Sequence, residues 1–239
     1  MRKPFYLFII LLPLIAATEP TCSAESTKVN NCITNASPDS LRERQLLFNG
    51  TEWKNEFRRI KGDQFLFANY FLPGSVSLNG RTFDNVQIKY DIFSDELLIP
   101  RNREQRVCLN KEMVDSFKVD FDNITYRFKK INENPSAGPI GYVNILYEGK
   151  STLFVKYEKK ISIEITNERD GEFYQVYTIY FERNGILFTL KGIKDLYNIA
   201  GSERINIQNF IKENKLKVSR KMPASFAPVI RFYDSLNSQ

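Results

Sequence analysis

The chain has 239 residues, with 42% hydrophobic, 13% aromatic and 26% charged side chains and a formal net charge of +6. That balance is ordinary for a soluble globular protein. Histidine is absent, which removes the commonest general base, the usual catalytic-triad member and the commonest zinc ligand.

Arg2 and Lys3 form a basic head, Phe5 to Ala17 an apolar run, and Ala16, Ala17, Thr18, Ser23 and Ala24 a small, polar exit. This three-part layout predicts a secretory signal peptide over residues 1–24, cleaved after Ala24 in preference to Ala17. The apolar run is about 13 residues, short of the roughly 20 that a spanning helix needs, and no second long apolar run follows. Around Cys22 the residues Glu19, Pro20 and Thr21 do not make a lipobox. Residues 25–45 are rich in Ser, Thr and Asn and predict a flexible N-terminal segment with no core of its own. From Leu46 to Ile60, Leu46, Leu47, Trp53 and Phe57 fit either a helical turn or an opening strand.

Residues 46–190 predict an antiparallel β domain. Val86, Ile88, Tyr90 and Ile92 alternate with Gln87, Lys89 and Asp91; similar alternation runs through Phe117–Phe121, Ile124–Phe128 and Ile161–Ile165. Period two buries one face and wets the other, so Gln87, Lys89 and Asp91 are expected to face outward. Asn79–Gly80, Glu148–Gly149, Asp170–Gly171 and Asn184–Gly185 punctuate the runs as hairpin turns. Nine or ten strands are expected. Such a sheet should curl rather than stay flat, so the fold class is α+β: a large curved antiparallel sheet, half-barrel or sandwich-like, with a C-terminal helical segment.

Residues 191–239 carry nine Lys/Arg against four Asp/Glu, while residues 25–190 carry equal numbers of each sign. Ser202 is placed to cap a helix running to about Asn214. Pro223 suits the first position of another, in which Phe226, Val229, Ile230, Tyr233 and Leu236 make one apolar stripe. The stripe is expected to pack this basic helical segment on the sheet. Beyond the predicted leader, Cys32 and Cys108 remain, either as one disulfide or as two free thiols.

Tyr90–Asp91 and Asp95–Glu96 form the densest acidic stretch beside a strand. Carboxylates can act as acid and base or bind calcium. Here no glycine turns the chain as a calcium loop would, and a solvated strand end is expected. Tyr142, Tyr147, Phe154 and Tyr157 are read as core and cross-strand packing, with sugar or lipid stacking as the alternative. Lys156, Lys159 and Lys160 read as the charged guard of an edge strand. No catalytic constellation, cofactor fingerprint or metal-spaced ligand set is found.

Several phrases carry a resemblance: Asn79–Gly80 leading to Tyr90–Asp91–Ile92 and Asp95–Glu96–Leu97, then Leu146–Tyr147–Glu148–Gly149–Lys150, Ile211–Lys212–Glu213–Asn214–Lys215–Leu216, and Phe232–Tyr233–Asp234–Ser235–Leu236. Over roughly residues 46–237 the chain resembles a group of exported, uncharacterised β-rich proteins common in Bacteroidota. The resemblance implies no activity. The expectation is a non-enzymatic envelope protein, periplasmic or outer-membrane associated, that binds a ligand or partner and no nucleic acid. The partner would be an envelope protein or a lipid, and the basic C-terminal segment could make a peripheral membrane contact. The alternatives are a lipid or lipoprotein carrier with a LolA/LolB-like half-barrel and a carboxylate-dependent hydrolase.

Overall fold

The alternating segments pair as strands, and the turns between them use residues that tolerate positive φ. In chain order the strands are β1 (Gly50–Glu52), β2 (Ile60–Lys61), β3 (Leu72–Leu78), β4 (Arg81–Asp91), β5 (Glu96–Pro100), β6 (Arg106–Leu109), β7 (Val114–Phe121), β8 (Ile124–Ile131), β9 (Gly141–Glu148), β10 (Ser151–Ile163), β11 (Gly171–Arg183) and β12 (Ile186–Leu190). The helices are α1 (Ile193–Ala200), α2 (Arg204–Glu213) and α3 (Ala227–Leu236). This is a computed structural model, and it describes residues 45–131, 138–163 and 170–236. The expected signal peptide, Cys32 and almost all of the expected N-terminal segment lie outside those residues.

Asn79–Gly80 (φ 48° and 77°) and Asn184–Gly185 (φ 51° and 73°) are left-handed at both turn positions, the conformation that a two-residue hairpin requires. Asp122–Asn123 does the same between β7 and β8, with φ of 52° and 59°.

The strand order is β1-β6-β5-β4-β3-β7-β8-β9-β10-β11-β12. Strands β3 to β6 meander away from β3 in one direction, and β7 returns to its free side to begin a second meander. The expected large antiparallel sheet is present, with two differences. Twelve strands lie among the described residues, because β1 and β2 are too short to show a period. And β2 pairs with β11 in parallel, Ile60 opposite Gly171. The long crossover that a parallel pair needs is supplied by everything in between.

Residues 60–66 act as a strap across the curved sheet. One end of the strap lies on β11. At its other end, Leu66 N–H donates to Tyr90 O (3.1 Å) and Ile92 N–H donates to Gln64 O (3.0 Å). Lys159 N–H of β10 also reaches Ile92 O (3.2 Å), so the end of β4 meets strands far from it in the sheet order.

Two apolar clusters lie on one face of the sheet. The first is built from Ile88, Tyr90, Leu97, Phe117, Phe128 and Tyr142 among others; Phe117 and Phe128 stack at 4.7 Å, Tyr90 meets both edge-on, and Tyr142 meets Phe117 edge-on. The second joins Leu153, Val155, Ile179 and Phe181 of the sheet to Leu196, Ile207, Phe226, Val229, Ile230 and Tyr233 of the helical layer. Phe128 lies opposite Asn144, and Asn144 opposite Val155. The clusters therefore share a face, half filled by rings and half covered by helices.

The predicted α3 stripe is buried at Phe226, Val229, Ile230 and Tyr233, and Pro223 opens the 3₁₀ turn that leads into the helix. Asp234 fixes the far end by accepting from Ser151 N–H (2.9 Å), Ser151 Oγ (2.6 Å) and Tyr147 Oη (3.1 Å). Ser202 does not cap α2: it lies in the 3₁₀ turn 201–203 that links α2 to α1. Helix α1 was not visible as a separate period. Its first turn is held by Asp195, whose carboxylate accepts from the N–H groups of Lys191 and Gly192.

Val86, Ile88 and Tyr90 face the core as expected, and Gln87 is exposed. Lys89 and Asp91 are not: they are 6% and 1% exposed. The end of β4 is covered on both faces, by the aromatic cluster on one side and by Trp53, Phe65 and Phe71 on the other.

Candidate functional site

The acidic stretch beside β4 is not a solvated strand end. It divides into two environments. Asp91 and Glu96 are cross-strand partners in the β4–β5 pair, and the turn between them places Asp95 at φ 58°.

Asp95 turns inward to a polar cage. Its Oδ1 accepts from Tyr90 Oη (2.5 Å) and Lys156 Nζ (2.8 Å), and its Oδ2 accepts from Lys111 Nζ (2.5 Å). Lys156 also donates to Tyr142 O (3.2 Å). Burial by itself would raise the Asp95 pKa, but the Lys156 charge and the hydrogen bonds from Lys111, Lys156 and Tyr90 hold it below the usual carboxylate range. Burial, reinforced by the Asp95 charge, pushes the Tyr90 phenol well up. Gly141 makes room for this carboxylate: a Cβ there would sit 1.7 Å from Asp95 Oδ2, and its φ is +84°. Both carboxylate oxygens are committed to cations, so the cage ties the end of β4, the approach to β7 and β10 together.

The same contacts revise the reading of the lysines. β10 lies between β9 and β11, so it is not an edge. Lys156 is buried in the cage, and Lys159 donates to Asp63 O (2.9 Å). Tyr142 and Phe154 are core residues, as expected, but they do not form one platform. Tyr142 belongs to the ring cluster, whereas Phe154 packs with Val143 and Ile145 on the other face.

Asp91 lies in a small polar pocket of about 220 Å³. Strand β1 and the residues after it supply Glu52, Trp53, Glu56 and Phe57; the strap supplies Gln64; and the β4–β6 strands supply Asp91, Glu96 and Cys108. Trp53 is anchored by its backbone N–H, which donates to Arg106 O (3.0 Å), and its ring tilts against Phe65 at 6.0 Å. Phe57 meets Phe93 and Phe173 edge-on at 4.9 and 5.6 Å.

Asp91 Oδ1 accepts from Phe93 N–H (2.9 Å) and Ser94 N–H (3.0 Å), the hydrogen bonds that form the turn. Its Oδ2 is buried and has no hydrogen-bond partner, although the Gln64 side chain lies close enough to favour the charged form. Burial raises the Asp91 pKa against those bonds. Cys108 is a free, buried thiol, pushed up to about 12 by burial and by Glu96. It is therefore no nucleophile at neutral pH. Among the described residues no group of three or more His, Cys, Asp or Glu is spaced to hold a metal ion. The sequence showed the acidic residues but not this pocket, because its other wall comes from the irregular segment after β1.

The third feature is the outer face of the helical layer. Lys212, Lys215, Lys217, Arg220 and Lys221 are all exposed. In the same helical layer Phe210 and Phe232 stack face to face at 4.1 Å and line a shallow apolar groove with Ala224, Ala227, Pro228 and Arg231. No helix among the described residues is long and apolar enough to cross a membrane. Comparison with family models, with curated proteins and with solved structures returns no match.

Proposed function

We propose that the protein is an exported, non-enzymatic envelope protein that docks peripherally on an anionic phospholipid surface through its helical layer. The observation that carries this reading is charge segregation. The net positive charge of residues 25–239 falls in residues 191–239; its lysines and Arg220 stand exposed, and the helical layer that carries them also opens an apolar groove with Arg231 in its lining. A cationic side chain near an anionic bilayer contributes about 1 kcal/mol, so five of them together favour reversible attachment. The N-terminal layout and the resemblance to exported Bacteroidota proteins support an envelope location, in the periplasm or at the outer membrane.

A carrier of the LolA/LolB kind needs an apolar cavity inside its curved sheet. The rings of Tyr90, Phe117, Phe128 and Tyr142 occupy that part of the sheet face here, which favours the docking reading. A carboxylate hydrolase needs an acid in contact with its substrate. Asp95 is bound by two lysines and Asp91 is almost fully buried, which disfavours that alternative.

Vesicle co-sedimentation tests the proposal. The protein should bind vesicles containing phosphatidylglycerol and release as salt is raised. The triple variant Lys215→Glu, Lys217→Glu, Lys221→Glu should bind at least about tenfold less. Equal binding to purely zwitterionic vesicles, or none to either, would overturn it.

A further inference from the structure

Helix α3 is apolar almost all round. Its inner face buries Val229, Ile230 and Tyr233, and a surface helix ordinarily turns polar side chains the other way. The other way here lie Ala227, Pro228, Arg231, Phe232 and Ser235, which with Phe210 of α2 line a groove of about 490 Å³. The Ser235 hydroxyl is committed within the helix, donating to Phe232 O (2.6 Å). Arg231 is exposed and has no ion-pair partner among the described residues; its guanidinium lies 5.7 Å from the Tyr147 ring. The groove is thus an apolar trough with one charge in its lining. Just before Ala224 the chain makes a tight turn with Arg220 and Lys221 at its tip. Met222 N–H closes the turn on Ser219 O (3.0 Å). Ser225 Oγ fixes it, accepting from Ser219 N–H (3.0 Å) and donating to Met222 O (2.5 Å). This cationic turn leads directly into the groove.

We propose that the groove takes one acyl chain of an anionic phospholipid, with the phosphate of that lipid on Arg231. The inference rests on the membrane-docking reading and makes it specific: one lipid is held, not only a charged surface met. Charge complementarity selects the occupant. Cations frame the trough, at Arg231 within it and at Arg220 and Lys221 before it, so an apolar chain with an anionic head is its complement. A guanidinium presents its donors in a fork that matches phosphate oxygens. From Ala227 to Ser235 the helix rises about 12 Å, enough for a hexanoyl chain to lie along it. A second copy of this chain is a poor occupant, because its helical layer would bring the same positive charge.

The probe is dihexanoylphosphatidylglycerol, kept below its critical micelle concentration so that no bilayer is present. Isothermal titration calorimetry of the full chain should show saturable binding of one lipid per chain. Dibutyroylphosphatidylglycerol should bind at least about tenfold more weakly, because each of its chains buries two fewer methylenes. Glycerol phosphate, which lacks the chains, and hexanol, which lacks the phosphate, should be weaker still. Arg231→Gln should weaken the dihexanoyl lipid at least about tenfold by removing the phosphate fork. Ala224→Leu, at an exposed position in the lining, should do the same by filling the trough. Hexanol binding as tightly as the lipid, or lipid binding unchanged in both variants, would overturn the proposal. Vesicle co-sedimentation of the same protein separates the two claims. Binding to phosphatidylglycerol vesicles without binding the monomeric lipid overturns the groove and leaves surface docking standing. Binding the monomeric lipid but no vesicles supports the groove and overturns docking, and binding neither overturns both.

Discussion

Lys89 shows what burial does to a single charge. Its pKa falls to about 8, mainly through desolvation and then through Arg106, against the opposing pull of Asp63 and Asp91. An unfolded lysine titrates near 10.4. Between about pH 8 and 10.4 the unfolded chain therefore binds more protons than the folded one, and Lys89 makes stability rise with pH over that window. Below about pH 8 it is charged in both states and its full desolvation penalty applies. Lys89→Met should be more stable than wild type at pH 7, and the difference should shrink as pH passes 8 towards 10. Urea unfolding at pH 7 and pH 9.5 measures this; a constant difference would mean that Lys89 reaches water.

Asp95 runs the other way. Its pKa is lowered, so the stability it contributes is present above the unfolded value of about 3.9 and lost as pH falls through the folded value. Asp95→Asn leaves Lys156 buried without a counter-ion and should cost about 3–5 kcal/mol at neutral pH. Adding Lys156→Met to Asp95→Asn should recover much of that loss. Unfolding of the single and double variants tests the cage, and an equal cost for both would sink it.

At the scale of elements, the apolar stripe made α3 legible. The buried stripe residues contribute about 1.5–3 kcal/mol each, comparable together with most of a domain's net stability. Deleting residues 223–239 also removes Asp234 from Ser151 and Tyr147. The truncated chain should aggregate or become protease-sensitive. A monomer with an unchanged melting temperature would instead make the stripe a docking site. The alternation of Val86, Ile88 and Tyr90 was equally legible, because it records one buried face. The burial of Lys89 and Asp91 was not, because period two says nothing of what covers the opposite face. That cover comes from Trp53, Phe65 and Phe71, which are irregular in sequence. The Asp95 cage was hidden for a similar reason: Asp95, Lys111 and Lys156 come from three distant places, and each by itself reads as a surface charge.

Over the whole molecule, the antiparallel pairs join neighbours in sequence except at β3–β7 and β1–β6, whereas the strap joins Ile60 to Gly171. Arg59 pairs with Asp170 at the same place, 111 residues away. Contacts so distant in sequence form only after the intervening chain is organised. Until the strap docks, β4 is covered on one face only, and Lys89 and Asp91 remain hydrated. The expectation is that the cost of dehydrating both charges falls after the main barrier to folding. Relieving that cost should act on the unfolding rate and not on the folding rate. In stopped-flow urea jumps at pH 7, Lys89→Met should slow unfolding and leave the refolding limb where it is. A faster refolding limb would place the strap in the folding nucleus. On the first outcome, the segment that comes early from the ribosome is among the last to find its place, and two buried charges act as a brake on how long the finished fold persists.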